Sequence, residues 1–175
     1  MISRRSLGPW QGSRDFNTRV RVYHVMARGD GGKQIFIQKE DYESFLDWLE
    51  KVCGSHGWRV HAWVLMGNHF HLLLETPEAN LSSGMRVFLG TFSQAWNSRY
   101  QRRGHVFQGR YKSVPVAGEV AADAHYFKSV ADYIHLNPAR AGLAGGVNGR
   151  LVGYEWSRLP GYLRGEGVGV GRVVG

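Results

Sequence analysis

Two histidines one residue apart, His69 and His71 in the stretch Gly67-Asn68-His69-Phe70-His71-Leu72-Leu73-Leu74, are the residues best suited to do chemistry in this chain. In an extended segment successive side chains alternate faces, so His69, His71 and Leu73 point one way and Phe70, Leu72 and Leu74 point into a packed layer. Two imidazoles side by side can ligate a divalent ion. The same pattern also fits a half-buried strand that merely carries two histidines, because such short motifs arise by chance. A second segment, Tyr133-Ile134-His135-Leu136-Asn137-Pro138, supplies a partner. Positions four apart share a helix face, so Tyr133 and Asn137 project together. If that helix packs over the strand, two imidazoles, an amide oxygen and a phenol nucleophile converge. His135 points off the Tyr133 face and is a poor general base.

The elements that must position these groups follow from periodicity. Residues 19–26 alternate and are rich in β-branched and aromatic types, which reads as a first strand. A glycine-rich loop with Arg28 and Lys33 follows; it lacks the GxxxxGK[ST] spacing of a phosphate loop. From Gln38 to Ser55 the apolar residues Tyr42, Phe45, Leu46, Leu49, Val52 and Cys53 recur at three and four, predicting an amphipathic helix with Glu40, Asp41, Glu43, Asp47 and Glu50 on a solvated face. Trp58–Met66 and His69–Glu75 read as strands joined by a Gly67-Asn68 hairpin turn. His61, in the first of them, reads as a packing residue. Asn80 is a candidate cap for a helix to about Arg102, with Leu81, Met85, Phe88, Phe92 and Trp96 on its apolar stripe. That helix ends in the basic cluster Arg99, Arg102 and Arg103. Residues 105–116 read as a fourth strand in which Arg110 and Lys112 share a face, with Phe107 and Tyr111 either stacking bases or serving the core. The last helix is expected over 121–137, with Tyr126, Phe127, Val130 and Ile134 as apolar contacts and Pro138 closing it.

This order is the βαββαβ pattern of an α+β, ferredoxin-like antiparallel sheet with helices on one face and an additional C-terminal helix carrying the tyrosine. The pattern divides the chain into a flexible arm (1–18), one domain (19–143) and a partly irregular extension (144–175), whose Gly/Val repeat after Leu163 reads as a frayed tail. With 175 residues and 43% hydrophobic content, a single globular core is expected. The formal charge of +8 and pI near 9.9 suit a polyanionic partner. A signal peptide and an apolar run long enough for a membrane are both missing from the sequence, so a cytoplasmic location and no membrane partner are expected. The single cysteine, Cys53, forms no internal disulfide and reads as structural.

These residues together resemble the IS200-like single-tyrosine transposases, HUH endonucleases, and in particular their relatives associated with repetitive extragenic palindromes. The likeness covers about residues 19–143. It rests on Tyr23-His24-Val25-Met26-Ala27-Arg28-Gly29, His69-Phe70-His71, His105-Val106-Phe107-Gln108-Gly109-Arg110-Tyr111-Lys112, and Tyr133-Ile134-His135-Leu136-Asn137-Pro138-Ala139-Arg140-Ala141-Gly142-Leu143. Relatives often carry Asn where Asp30 stands. The resemblance implies that His69, His71 and Asn137 bind Mg²⁺ or Mn²⁺ and that Tyr133 attacks single-stranded DNA, nicking and rejoining it at or near hairpin-forming repeats through a 5′-phosphotyrosine link. Arg28, Lys33, Arg99, Arg102, Arg103, Arg110 and Lys112 are the candidate DNA contacts, and Tyr126 is the alternative nucleophile. The resemblance allows a monomer or a homodimer. Two other readings share the composition: a domesticated nucleic-acid-binding module that no longer cuts, and a metal hydrolase of small phosphoesters or RNA. Leu73 stands where the HIT hydrolases need a third alternating histidine.

Overall fold

The computed structural model describes residues 21–117, 124–143, 151–165 and 169–170. The expected arm (1–18), the start of the first strand at 19–20, the expected helix start at 121–123 and the segment 144–150 lie outside them. Four strands, β1 (Arg21–Arg28), β2 (Arg59–Met66), β3 (His69–Thr76) and β4 (Lys112–Ala117), form one sheet in the order β2-β3-β1-β4, every neighbouring pair antiparallel. That is the ferredoxin-like arrangement expected from the element order. Helices α1 (Lys39–His56) and α2 (Leu81–Arg99) cover one face, and α3 (Ala124–His135) covers the other.

Alternation divides each strand between two cores. Val25, Val60, Leu65, Phe70, Leu72 and Leu74 pack under α1 and α2 with Phe45, Leu49, Met85, Phe88 and Phe92. On the opposite face Val22, Ala62, Val64, Met66 and Leu73 meet Val130 and Ile134 of α3. The histidine pair lies on this second face, at the end of β3 that follows the hairpin turn. A side chain at Gly67 would collide with the Gln34 amide, because the Gly67 carbonyl accepts the Ile35 and Phe36 amides at 2.9 and 3.0 Å and draws that loop in.

Several boundaries differ from the sequence reading, each for a local reason. Asp41 is not on the solvated face: it is 1% exposed, accepts the Ile37 and Gln38 amides to close a capping box, and also takes Arg99 at 2.7 Å and the Tyr100 hydroxyl at 2.6 Å. Asn80 precedes α2 but caps nothing with its side chain; it accepts the Trp58 indole at 2.7 Å and donates to the His56 carbonyl, tying the start of α2 to the end of α1. Helix α2 stops at Arg99 and Gln101 takes a left-handed φ of 50°, so Arg102 and Arg103 stand on a loop.

The fourth strand begins only at Lys112. Residues 105–111 form an irregular loop held by the Gly29–Phe107 bridge and by amides donated from Asp30 to Val106 and from Gln108 to Arg28. Phe107 is buried in the larger core against Phe70 and Phe92, so it is a packing residue and not a base platform. Tyr126, expected as an apolar contact, is 46% exposed.

Helix α3 ends at His135, and a separate turn of helix, α4 (Asn137–Arg140), follows Leu136 with Pro138 inside its first turn. Proline has no N–H to continue the ladder, which breaks the helix before Pro138 and leaves that residue to start the next one. Residues 154–158 are tied to the sheet by backbone and side-chain hydrogen bonds. Trp156 accepts the Leu65 amide, Arg158 donates to the Trp63 carbonyl, and the Tyr154 hydroxyl donates to the Leu65 carbonyl, so residues 154–158 line the outer edge of β2. A last helix, α5 (Leu159–Leu163), follows, and Val170 returns to the larger core. Among the described residues no helix is long and apolar enough to cross a membrane.

Candidate functional site

His69 and His71 stand with ring centroids 5.2 Å apart and planes nearly perpendicular. Each has its Nδ1 occupied: His69 Nδ1 lies 2.7 Å from the Asn68 side-chain oxygen, and His71 Nδ1 lies 2.9 Å from Nε2 of His24. With Nδ1 engaged, Nε2 is the atom each ring would offer to a ligand. Such outer hydrogen bonds are how metal-binding imidazoles are oriented. His24 reaches this point because β1 pairs with β3 in a register that sets Met26 opposite His71, placing His24 diagonally across the same face.

Burial lowers the pKa of all three imidazoles. His71, the most enclosed, is pushed down to about 3 by burial first and by its two histidine neighbours second. His69 is lowered by burial first, against the Asn137 side chain that acts in the other direction by accepting from the ring, and further by the Arg28 charge. His24 is lowered by burial. Rings that resist protonation keep lone pairs for a cation.

The distant segment does arrive here. Ile134, fully buried, anchors α3 on the sheet, and its neighbour Tyr133 turns its ring edge-on to His71 at 5.8 Å and to His24 at 5.9 Å. The phenol remains 40% exposed. Asn137, buried at the start of α4, lies close enough to His69 to raise the pKa of that ring. The guanidinium of Arg140 covers the Tyr133 ring at 4.8 Å. His135 lies elsewhere, buried beside Tyr162, its pKa lowered by burial. Among the described residues no group of three or more His, Cys, Asp or Glu is placed to hold a metal ion; the neutral side chains that meet here are the His69 and His71 imidazoles and the Asn137 amide. That set fits a divalent ion with positions left for substrate.

Basic residues fall into three groups. Arg28, Arg110 and Lys112 line a cavity of about 560 Å³ whose wall includes His69 and His71. Lys33, Arg102 and Arg103 line a second hollow of about 360 Å³ with Trp96 and His105. The two are linked through the loop pairing of Asp30 with Val106 and Gln108 with Arg28. Arg99 belongs to neither, because its guanidinium is engaged by Asp41.

The sequence reading gave His24, Arg140 and Asn68 no part in the site itself. Arg140 stands in α4, beyond the break at Leu136, so helical spacing from Tyr133 did not announce its place over that ring. Nor was His24 legible, since its place depends on strand register.

The sequence matches the family model described as "Transposase IS200 like" over residues 18–137. No protein of curated function matches it. Among solved structures, a tyrosine transposase associated with repetitive extragenic palindromes, bound to a hairpin of such a repeat, superposes with a TM-score of 0.71 at 17% identity, covering 95% of this chain and 94% of that one. The crystal structure of a candidate transposase from Deinococcus radiodurans R1 has a TM-score of 0.48 at 18% identity, covering 71% of this chain and 95% of that one.

Proposed function

This chain belongs to the IS200-like transposase family, and from that premise we propose that it is a divalent-metal-dependent transesterase that nicks and rejoins single-stranded DNA at or beside hairpins. The observation that carries this reading is the convergence of Tyr133, His71, His69 and Asn137 from β3, α3 and α4 within one chain. Tyr133 is the nucleophile and acts in cis. His69, His71 and Asn137 are the residues that would hold Mg²⁺ or Mn²⁺. When bound, such an ion would draw charge from a non-bridging phosphate oxygen and stabilise the added negative charge of the transition state.

The residues of the chain supply the rest. The Tyr133 oxygen forms a bond to phosphorus while the bond to the 3′-oxygen breaks; the phenol gives up its proton and the departing 3′-oxygen gains one. The product is a 5′-phosphotyrosine with a free 3′-hydroxyl, which conserves the phosphodiester bond for rejoining. A free phenol has a pKa near 10, so about one in a thousand is ionised at pH 7 and the site must assist it. Three neutral donors leave the charge of a bound ion undiminished, unlike a carboxylate cage. The cavity lined by Arg28, Arg110 and Lys112 lies beside the histidines and suits the phosphates that flank the cleaved bond. Lys33, Arg102 and Arg103 extend the cationic surface toward DNA further along.

The similar solved structure holds a hairpin of a palindromic repeat, which supports hairpin-forming DNA as the partner here. Labelled hairpin DNA from the flanks of the gene, mixed with the protein and Mn²⁺, is expected to give a denaturation-resistant adduct. Chelation should remove it, and Tyr133→Phe should lower its yield to background. An undiminished adduct from that variant would show that another residue attacks, with Tyr126 next to be changed. Salt-sensitive hairpin binding that ignores chelators and never becomes covalent would leave a DNA-binding module without cleavage.

A further inference from the structure

His24 touches both halves of the proposed site. It lies 2.9 Å from His71 through Nε2 and meets the Tyr133 ring edge-on at 5.9 Å. Two neutral imidazoles sharing one hydrogen bond have two arrangements, since a single proton lies between the nitrogens. If His24 donates from Nε2, His71 must carry its own proton on Nε2 and has no free lone pair for a cation. If His71 donates from Nδ1, its Nε2 lone pair is free and His24 must be protonated on Nδ1. Only the second arrangement lets His71 act as a ligand. The parallel contact from Asn68 obliges His69 in the same way, because a side-chain amide oxygen can only accept from Nδ1–H.

We propose that His24 is a positioning residue that holds His71 as the Nδ1–H tautomer and fixes its ring plane, so that Nε2 of His71 faces the divalent ion. The proposal rests on the reading of His69, His71 and Asn137 as the cation site. His24 is not itself a ligand, because its Nε2 is committed to His71. The low polarity around His71 strengthens the bond: the residue is 7% exposed and its ring meets Tyr133 at 5.8 Å, which leaves little water to replace His24 as the acceptor.

Three variants and two measurements test this. The Gln amide oxygen reaches about where imidazole Nε2 lies, so His24→Gln keeps the acceptor, whereas His24→Leu keeps bulk and removes it. Side-chain ¹⁵N spectra of the metal-free protein should show His71 protonated on Nδ1 in wild type and in His24→Gln, and on Nε2 or as a mixture in His24→Leu. Calorimetric titration with Mn²⁺ alone should show binding about 10–100-fold weaker in His24→Leu, the usual scale for losing such an outer partner, with most of it restored in His24→Gln. His71→Ala is the control for the site. If that control binds Mn²⁺ as wild type does, the cation site is wrong. If the control loses binding and His24→Leu does not, the site stands and the positioning role is overturned. Should His24→Leu fail to fold, a wild-type His71 ring protonated on Nε2 overturns the proposal by itself.

Discussion

Tyr133 is held by weak forces from three sides: the edges of two imidazoles and the guanidinium of Arg140 above its ring. A cation over an exposed aromatic face contributes about 0.5–1 kcal/mol. If that is all Arg140 does, Arg140→Met should slow covalent adduct formation by about 2–5-fold while hairpin affinity stays the same, read from a single-turnover time course. A loss beyond about a hundredfold would mean that the guanidinium also meets the phosphate. At this scale the sequence was informative wherever one element carries the spacing. The HxH alternation is a property of a single strand and could be read in advance, whereas Tyr133 and Asn137 fall on two helices separated at Leu136, so one helical period does not account for their meeting. His24 was hidden because strand alternation gives a face but not a register, and only the pairing of Met26 with His71 brings it alongside.

Between the elements, the buried carboxylate of Asp41 does the fastening. It closes the start of α1 and reaches across to Arg99 and Tyr100 at the end of α2, so the two helices that cover one face of the sheet are pinned at one corner. Asp41→Asn keeps the shape but loses the charge that Arg99 and the hydroxyl address. Hydrogen bonds to a charged group contribute about 1.5–3 kcal/mol, and Arg99 is partly exposed, so the expected loss is near the lower end, about 1.5–2 kcal/mol, read from urea denaturation midpoints. The apolar stripes of α1 and α2 were legible because a 3.6-residue period survives any tertiary context. The acid at position 41 was not, for its helical spacing matches that of the solvated acids around it. The late start of β4 and the break at Leu136 were also obscured: alternating residues at 105–111 follow a core with no ladder, and Pro138 reads equally as an end or a beginning.

Across the whole molecule, one face of the sheet is a large aromatic core and the other carries the smaller core and the histidines. The cationic hollows lie at the end of the sheet where β1 stops and β3 starts, so charge and chemistry share one border. Binding of single-stranded DNA should weaken steeply with salt. Each of Arg28, Arg110 and Lys112 that neutralises a phosphate contributes about −0.7 to the slope of log affinity against log salt. Replacing Arg110 and Lys112 by Ala together should flatten that slope by about 1.4 in a fluorescence-anisotropy titration, whereas a slope unchanged from wild type would move the DNA path elsewhere.

The lateral edge of the sheet along β2 is treated differently. Leu65 and Trp63 of β2 have already given their outward amide and carbonyl to Trp156 and Arg158. A stranger's strand arriving there finds nothing to zip onto, and the backbone that an open sheet rim would offer for runaway stacking is spoken for by the chain's own closing segment. Residues 154–158, which show no periodicity in the sequence, therefore work as a selvedge, keeping the weave from joining its neighbours.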